Sequence, residues 1–232
     1  METPSPRLYL LRHGQAMLGT DDYDRLSDRG RVQAKHLARR VSEQMPAGWL
    51  AWSGSLKRQR ATLAQLNAPG LAVVDPCLNE YRVDRMVAYA LEQAAALELQ
   101  RPPPHALADP VTFLDLFATW FPLVIERWQQ GVLQDSCNGT WAAFRQRVLK
   151  PVSLWQTHLE QGQSVVVVSS AGVISTLAAA LTGRGLDWQR QLNVSLYNTA
   201  VTELIPDSQC GWKLGRVNCV EHLEDKALRT LA

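Results

Sequence analysis

The stretch Leu8-Tyr9-Leu10-Leu11-Arg12-His13-Gly14-Gln15 decides how this chain is read. Its apolar run is too short for a helix and is cut off at once by charge, so it predicts a short strand buried on both faces. An arginine and a histidine then stand at the carboxyl end of that strand. In an open parallel sheet, ligands bind in the crevice beyond the carboxyl ends of the strands. A histidine delivered there is a candidate nucleophile. Arg12 adds a fixed charge with a planar donor fork, which suits phosphate oxygens in a geometry lysine does not supply. The pair points to phosphoryl chemistry.

Outward from this stretch, Gln15 to Asp24 has no period and predicts a loop over the site, ending at Ser27 as the cap of a helix over Asp28 to Val41. Leu50 to Ser53 predicts a second strand. Leu56 to Leu66 predicts a helix stopped by Asn67-Ala68-Pro69-Gly70, and Leu71 to Val74 a third strand closed by Asp75-Pro76. The order so far is βαβαβ. Arg85 to Gln100 reads as helix and Arg101 to His105 as a proline break. Asp109-Pro110 then supplies a cap and first position for a helix over Val111 to Gln130, which Gly131 ends. Another helix is predicted from Thr140 to Gln161, kinked or divided at Pro151.

Ser164 to Ser169 holds Val165-Val166-Val167-Val168, the strongest parallel-strand signal in the chain. Ser169-Ser170-Ala171-Gly172 turns it into a helix over Val173 to Leu181, the strand-to-turn arrangement already met at His13. Two strands, about Asn193 to Leu204 and Trp212 to Asn218, a turn at Pro206-Asp207 and a closing polar helix complete the expectation.

The 232 residues, 46% of them hydrophobic, suffice for one ordinary core, so a single domain over 1–232 is expected, with a helical insertion at about 84–160. A net charge of +2 without any Lys/Arg run argues against a nucleic-acid surface or a polybasic membrane anchor. No apolar leader or long apolar span is present, which predicts a cytoplasmic protein with no membrane partner. Cys77, Cys137, Cys210 and Cys219 are scattered without metal-ligand spacing, so they read as reduced thiols rather than a zinc site or disulfide framework. The eight tryptophans are dispersed and read as packing anchors.

Several segments, taken in order, resemble the histidine phosphatase superfamily, also called phosphoglycerate mutase-like. Leu8 to Gln15 resembles its opening motif and Leu26-Ser27-Asp28-Arg29-Gly30 the helix start behind it. Ser55-Leu56-Lys57-Arg58-Gln59-Arg60-Ala61-Thr62 resembles the segment with a second phosphate-binding arginine, Leu78-Asn79-Glu80 the segment with the acid/base carboxylate, and Val166 to Ile174 the strand and turn bearing a second histidine. The resemblance covers nearly the whole chain. It implies an α/β three-layer sandwich, with helices on both faces of a mostly parallel sheet.

It also implies a metal-independent phosphatase without cofactor, acting on a phosphorylated small molecule or phosphoprotein through a phosphohistidine. His13 would be the nucleophile, Glu80 the acid/base, and Arg12 and Arg58 the charge-neutralising pair, with Gln15 as a candidate substrate contact and Arg82 and Asp84 as weaker ones. One departure stands out. Ser170 occupies the second-histidine position, a shorter and neutral donor, which predicts attenuated activity unless backbone N–H groups of the following helix assist. A phosphoglycerate mutase-type phosphotransferase and a catalytically impaired phosphate-binding module are the alternatives; Gly19 and Ala16, where many relatives carry polar residues, count against the mutase. His36, His105, His158 and His222 are read as surface or packing residues.

Overall fold

The structure, a computed structural model, describes residues 5–17, 22–45, 47–103, 110–209 and 211–231. Within these residues six strands form one sheet in the order β3-β2-β4-β1-β5-β6: β1 Leu8–Arg12, β2 Leu50–Ser53, β3 Val73–Val74, β4 Val165–Ser169, β5 Val201–Asp207 and β6 Gly211–Leu214. The first four run parallel, while β5 pairs antiparallel with β1 and β6 with β5. Successive strand side chains alternate faces. Leu8, Leu10, Val165 and Val167 therefore enter one apolar cluster, and Tyr9, Leu11, Val166 and Val168 the other. A central parallel strand has no wet face, which is why these segments are apolar at every position.

Among the described residues eight α-helices cover the two faces: α1 Asp28–Gln44, α2 Lys57–Leu63, α3 Val83–Glu92, α4 Pro110–Gln129, α5 Trp141–Leu149, α6 Val152–Glu160, α7 Ala171–Leu181 and α8 Leu186–Ser195. On the smaller face, Leu37 and Val41 of α1 and Leu63 of α2 pack beneath the sheet. The larger face carries the aromatic mass, with Phe121 and Trp128 of α4, Phe144 of α5 and Trp155 of α6 joined to α7 and α8. The fold is thus an α/β sandwich around a mostly parallel sheet. Among the described residues no helix is long and apolar enough to cross a membrane.

Several expectations meet their physical reason here. Ser27 Oγ accepts from Gly30 N at 3.0 Å and starts α1 where the sequence places it. Pro151 lacks the N–H that would carry the helical ladder across the join of α5 and α6, so the predicted long helix is two. Others are corrected. Of Leu71 to Val74, only Val73–Val74 pairs, at the sheet edge, because Leu71 is fully exposed and meets no second layer. The helix predicted from Arg85 starts at Val83 and ends at Glu92.

Asn193 to Leu204 is not one strand. Its first residues close α8, and β5 begins only at Val201, so the turn falls at Ser208-Gln209 and Pro206-Asp207 lies within the strand. The last strand stops at Leu214, and the closing helix is a single 3-10 turn, Lys226–Leu228. The proposed cap Asp109, His105, Cys210 and positions 18–21 of the loop over the site lie outside the described residues.

Candidate active site

The parallel register sets Arg12 of β1 beside Ser169 of β4, so His13 and Ser170 leave the sheet as neighbours. His13 N donates to Ser169 O at 2.9 Å, and the His13 carbonyl receives Asn198 Nδ2 and Thr199 N, each at 3.3 Å. Behind it the chain presses on the start of α1. A Cβ on Gly14 would lie 2.4 Å from Gly30 O, and one on Gly30 would lie 2.1 Å from Gln15 O, so only two glycines allow the approach.

The His13 imidazole is 4% exposed. Its Nδ1 is 2.7 Å from Gly14 O, and its Nε2 is 3.1 Å from Arg58 Nε. A carbonyl can only accept and a guanidinium only donate, so Nδ1 carries the proton and Nε2 the lone pair. Burial, followed by the charges of Arg58 and Arg12, holds the imidazole pKa well below its ordinary value. The histidine is neutral because its surroundings disfavour a third cation.

Arg58 points inward from the first turn of α2 while Arg60 is exposed. Asp24 Oδ1 accepts from Arg58 Nη1 at 2.8 Å, and Asp24 Oδ2 takes the Lys57 N–H at 2.9 Å, so one carboxylate caps α2 and anchors the guanidinium. The Tyr23 ring lies 5.2 Å from the Arg58 guanidinium carbon. Arg12 donates from Nη1 to Leu196 O, and its buried Nε has no hydrogen-bond partner among the described residues. Burial lowers the Arg12 pKa to about 10, which leaves it charged at neutral pH.

Glu80 follows the 3-10 turn Pro76–Leu78, and its carboxylate accepts from Gly172 N at 2.7 Å and Tyr81 N at 3.2 Å. Burial outweighs these donors and the two arginines, so the carboxyl pKa is raised. The segment is held from behind. Arg147 Nη1 donates to the carbonyls of Pro76, Cys77 and Asn79 at 3.2, 2.7 and 2.9 Å. Tyr81 is fixed by Asn193 Nδ2 on its hydroxyl at 2.9 Å and by the rings of Trp128 and Phe144, 5.2 and 5.4 Å away. A cavity of about 250 Å³ opens beside Glu80 between Arg82, Asn138, Phe144 and Arg147.

Ser170 is buried at the N-cap of α7, and its Oγ accepts from Gln59 Nε2 at 2.9 Å. The backbone donor expected to assist it is engaged, since Gly172 N holds Glu80. Gln15 is turned toward the α1 cap, its Oε1 accepting from Ser27 Oγ at 3.0 Å. Arg82 and Asp84 pair with each other in the open at 2.7 Å. His36 and His158 are partly buried on helices, and His222 is buried with Nε2 3.1 Å from Thr199 Oγ1. Of the residues singled out in the sequence, the structure brings His13, Arg12, Arg58, Glu80 and Ser170 together and turns Gln15 toward Ser27; Asp24, Gln59 and Arg147, which hold them, were not singled out. Nothing local marks Asp24 or Arg147; Gln59 adjoins Arg58, and a polar residue beside an inward arginine is the one available hint.

Together these groups offer a neutral nitrogen lone pair, two guanidinium groups, and a carboxyl whose environment favours its protonated form. Among the described residues no group of three or more His, Cys, Asp or Glu side chains is arranged to hold a metal ion.

The model of the histidine phosphatase superfamily (branch 1) matches residues 8–108 and 117–220. No curated protein matches the sequence at a significant level. Among solved structures, a mycobacterial glucosyl-3-phosphoglycerate phosphatase in complex with inorganic phosphate superimposes with TM-score 0.62 at 20% identity, covering 94% of this chain and 99% of that one. The alpha-ribazole phosphatase of Shigella flexneri gives 0.60 at 18% identity over 92% and 96% of the two chains, and YhfR of Bacillus stearothermophilus 0.62 at 20% over 94% and 100%. At such identities the likeness is one of fold. With the family model matched over most of the chain, the chain belongs to the histidine phosphatase superfamily.

Proposed function

We propose that the chain is a phosphatase that hydrolyses a phosphomonoester through a phosphohistidine on His13. The observation that carries this reading is the neutral His13 ring, with its Nε2 lone pair turned toward Arg58 and its Nδ1 proton held by Gly14 O. A phosphoryl dianion entering the site exchanges the Arg58–Nε2 hydrogen bond for charge-assisted bonds from Arg58 to its oxygens, and it gives the unpartnered Arg12 Nε–H an acceptor.

In the first step the Nε2–P bond forms as the bond from phosphorus to the leaving oxygen breaks. Glu80, whose pKa burial raises, gives a proton to that oxygen. The positive charge left on the imidazole is supported by the Nδ1–H bond to Gly14 O. In the second step Glu80, now a carboxylate, takes a proton from water, the water oxygen bonds to phosphorus, and the N–P bond breaks. Ser170 contributes a neutral donor where the family usually has a histidine, so turnover is slower than with two histidines. The cavity beside Glu80 receives part of the leaving group, which makes a phosphorylated small molecule the favoured substrate class.

Brief exposure to an aryl phosphate, quenched in alkali that preserves phosphohistidine, is expected to label His13 alone, with rates unchanged by chelators. Label on a serine would overturn the mechanism. Retention of the phosphoryl group for a second acceptor in place of water would identify a mutase.

A further inference from the structure

We propose that Gln59 is a positioning residue that sets the Ser170 hydroxyl as a hydrogen-bond donor to the transferring phosphoryl group, an inference that rests on the phosphatase reading above.

A serine at a helix N-cap ordinarily accepts the N–H of the second or third helical residue. Ser170 does not cap α7 in this way. The amide it would take, Gly172 N, belongs to the Glu80 carboxylate instead. The hydroxyl is thereby released from its usual structural task, and a different neighbour fixes it: Gln59 Nε2, at 2.9 Å.

The direction of that bond follows from the rest of the carboxamide. Gln59 Nε2 also lies 3.3 Å from Leu78 O, which only accepts, and Gln59 Oε1 lies 3.4 Å from Leu56 N, which only donates. The amide group therefore cannot be turned around without breaking both contacts. Gln59 donates, Ser170 Oγ accepts, and the serine proton is left for another acceptor. Among the described residues none is in place, although the side chain is only 2% exposed, and a buried donor without a partner is costly.

A phosphoryl oxygen held beside His13, on the adjoining strand end, completes the set. The carboxamide has no slack: Gln59 is fully buried, and a Cβ on Gly54 would come within 2.0 Å of its Oε1. One turn of α2 thus aims two donors of different kinds, Arg58 directly and the neutral serine through Gln59.

The test is hydrolysis of an aryl phosphate by Gln59→Met, Ser170→Ala and the double variant, with thermal melts confirming folding. Gln59→Met is expected to lower kcat about tenfold with little change in KM, Ser170→Ala to do the same, and the double variant to fall no further than Ser170→Ala. Gln59→Glu covers the case in which methionine does not fold. Its carboxylate would take the serine proton, so its loss should exceed that of Ser170→Ala. Full activity in a Gln59 variant while Ser170→Ala is slow, or a Gln59→Met loss of equal size with and without Ser170, would overturn the proposal and leave the phosphatase reading standing. Wild-type activity in Ser170→Ala would overturn it too. Absence of aryl phosphate turnover by the wild type would instead bring down that reading, and this inference with it.

Discussion

The carboxyl ends of β1 and β4 are sequence neighbours of nothing in common, yet they run side by side and each ends in a turn at the site. They differ in what they deliver. From β1 come Arg12 and His13, with Arg58 reaching in from α2, so this side holds the fixed positive charge and the nucleophilic nitrogen. From β4 comes a neutral hydroxyl, and Gly172 N of α7 is directed at the Glu80 carboxylate. Charge and proton donor are thus separated across one pair of hydrogen-bonded strands. The lesson is that burial can raise a carboxyl pKa even a short distance from two guanidinium groups, because desolvation outweighs their charge.

The sharpest way to break this division is to remove the β1 contribution. His13→Ala is expected to lower kcat by at least about 10⁴-fold, since no other group can accept the phosphoryl. Steady-state hydrolysis of p-nitrophenyl phosphate checks it, and residual turnover near wild type would move the nucleophile elsewhere. Arg58→Met should cost roughly 10²–10³ in kcat/KM, the range found when a donor to developing charge is deleted. It should cost more than Ser170→Ala; the reverse order would mean that the β4 wall bears the charge.

The glycines sharpen the same contrast. Gly14→Ala forces a methyl group onto Gly30 O, a backbone atom that cannot step aside, so a stability loss of about 3 kcal/mol is expected in urea melts. Gly172→Ala meets Glu80 Oε1 and Tyr81 Cε1 instead, both side-chain atoms. It should displace the acid/base carboxylate, slowing alkyl phosphates about tenfold while aryl phosphates, whose leaving group needs no proton, lose less in the first step.

The smallest effect is a shift in pH dependence. His13 must be neutral to attack, and its pKa is lowered, so activity persists as pH falls below 6.5 and is lost only when pH falls through the lowered value. Glu80 must be protonated to assist a poor leaving group, and its pKa is raised, so alkyl phosphate hydrolysis is lost as pH rises through that raised value. The alkaline limb should flatten for aryl phosphates. Identical profiles for the two substrate types would remove Glu80 from the first step.

How much of this the sequence disclosed follows from where each group's partners lie. Leu8 to Leu11 and Val165 to Val168 are legible because burial on both faces demands unbroken apolar runs. α8 is not, because the face it buries carries Gln189 and Asn193, whose partners are Ser175 Oγ and Tyr81 Oη, and a polar buried face defeats any reading by hydrophobic period. Leu71 to Val74 misled in the other direction, since apolar residues at an edge look like a strand whether or not a layer covers them. In the candidate site, Arg12 and His13 at the end of a strand and Arg58 and Ser170 at helix starts stand where the sequence pattern changes and announce themselves. Those that hold them, Asp24 and Gln59, act through partners distant in sequence or across the fold.

The place of β1 in the sheet also bears on the order in which the molecule is made. Its two neighbours are β4 and β5, so Leu8 pairs with Val165 and with Leu204, and no strand from the first half of the chain touches it. During synthesis Leu8–Arg12 leaves the ribosome well before β4 and β5, and its apolar residues remain unpaired until those strands have followed. Pairings of such long sequence separation close late and slowly. The segment that carries His13 is therefore open to mispairing and to chaperone capture before the sheet closes around it.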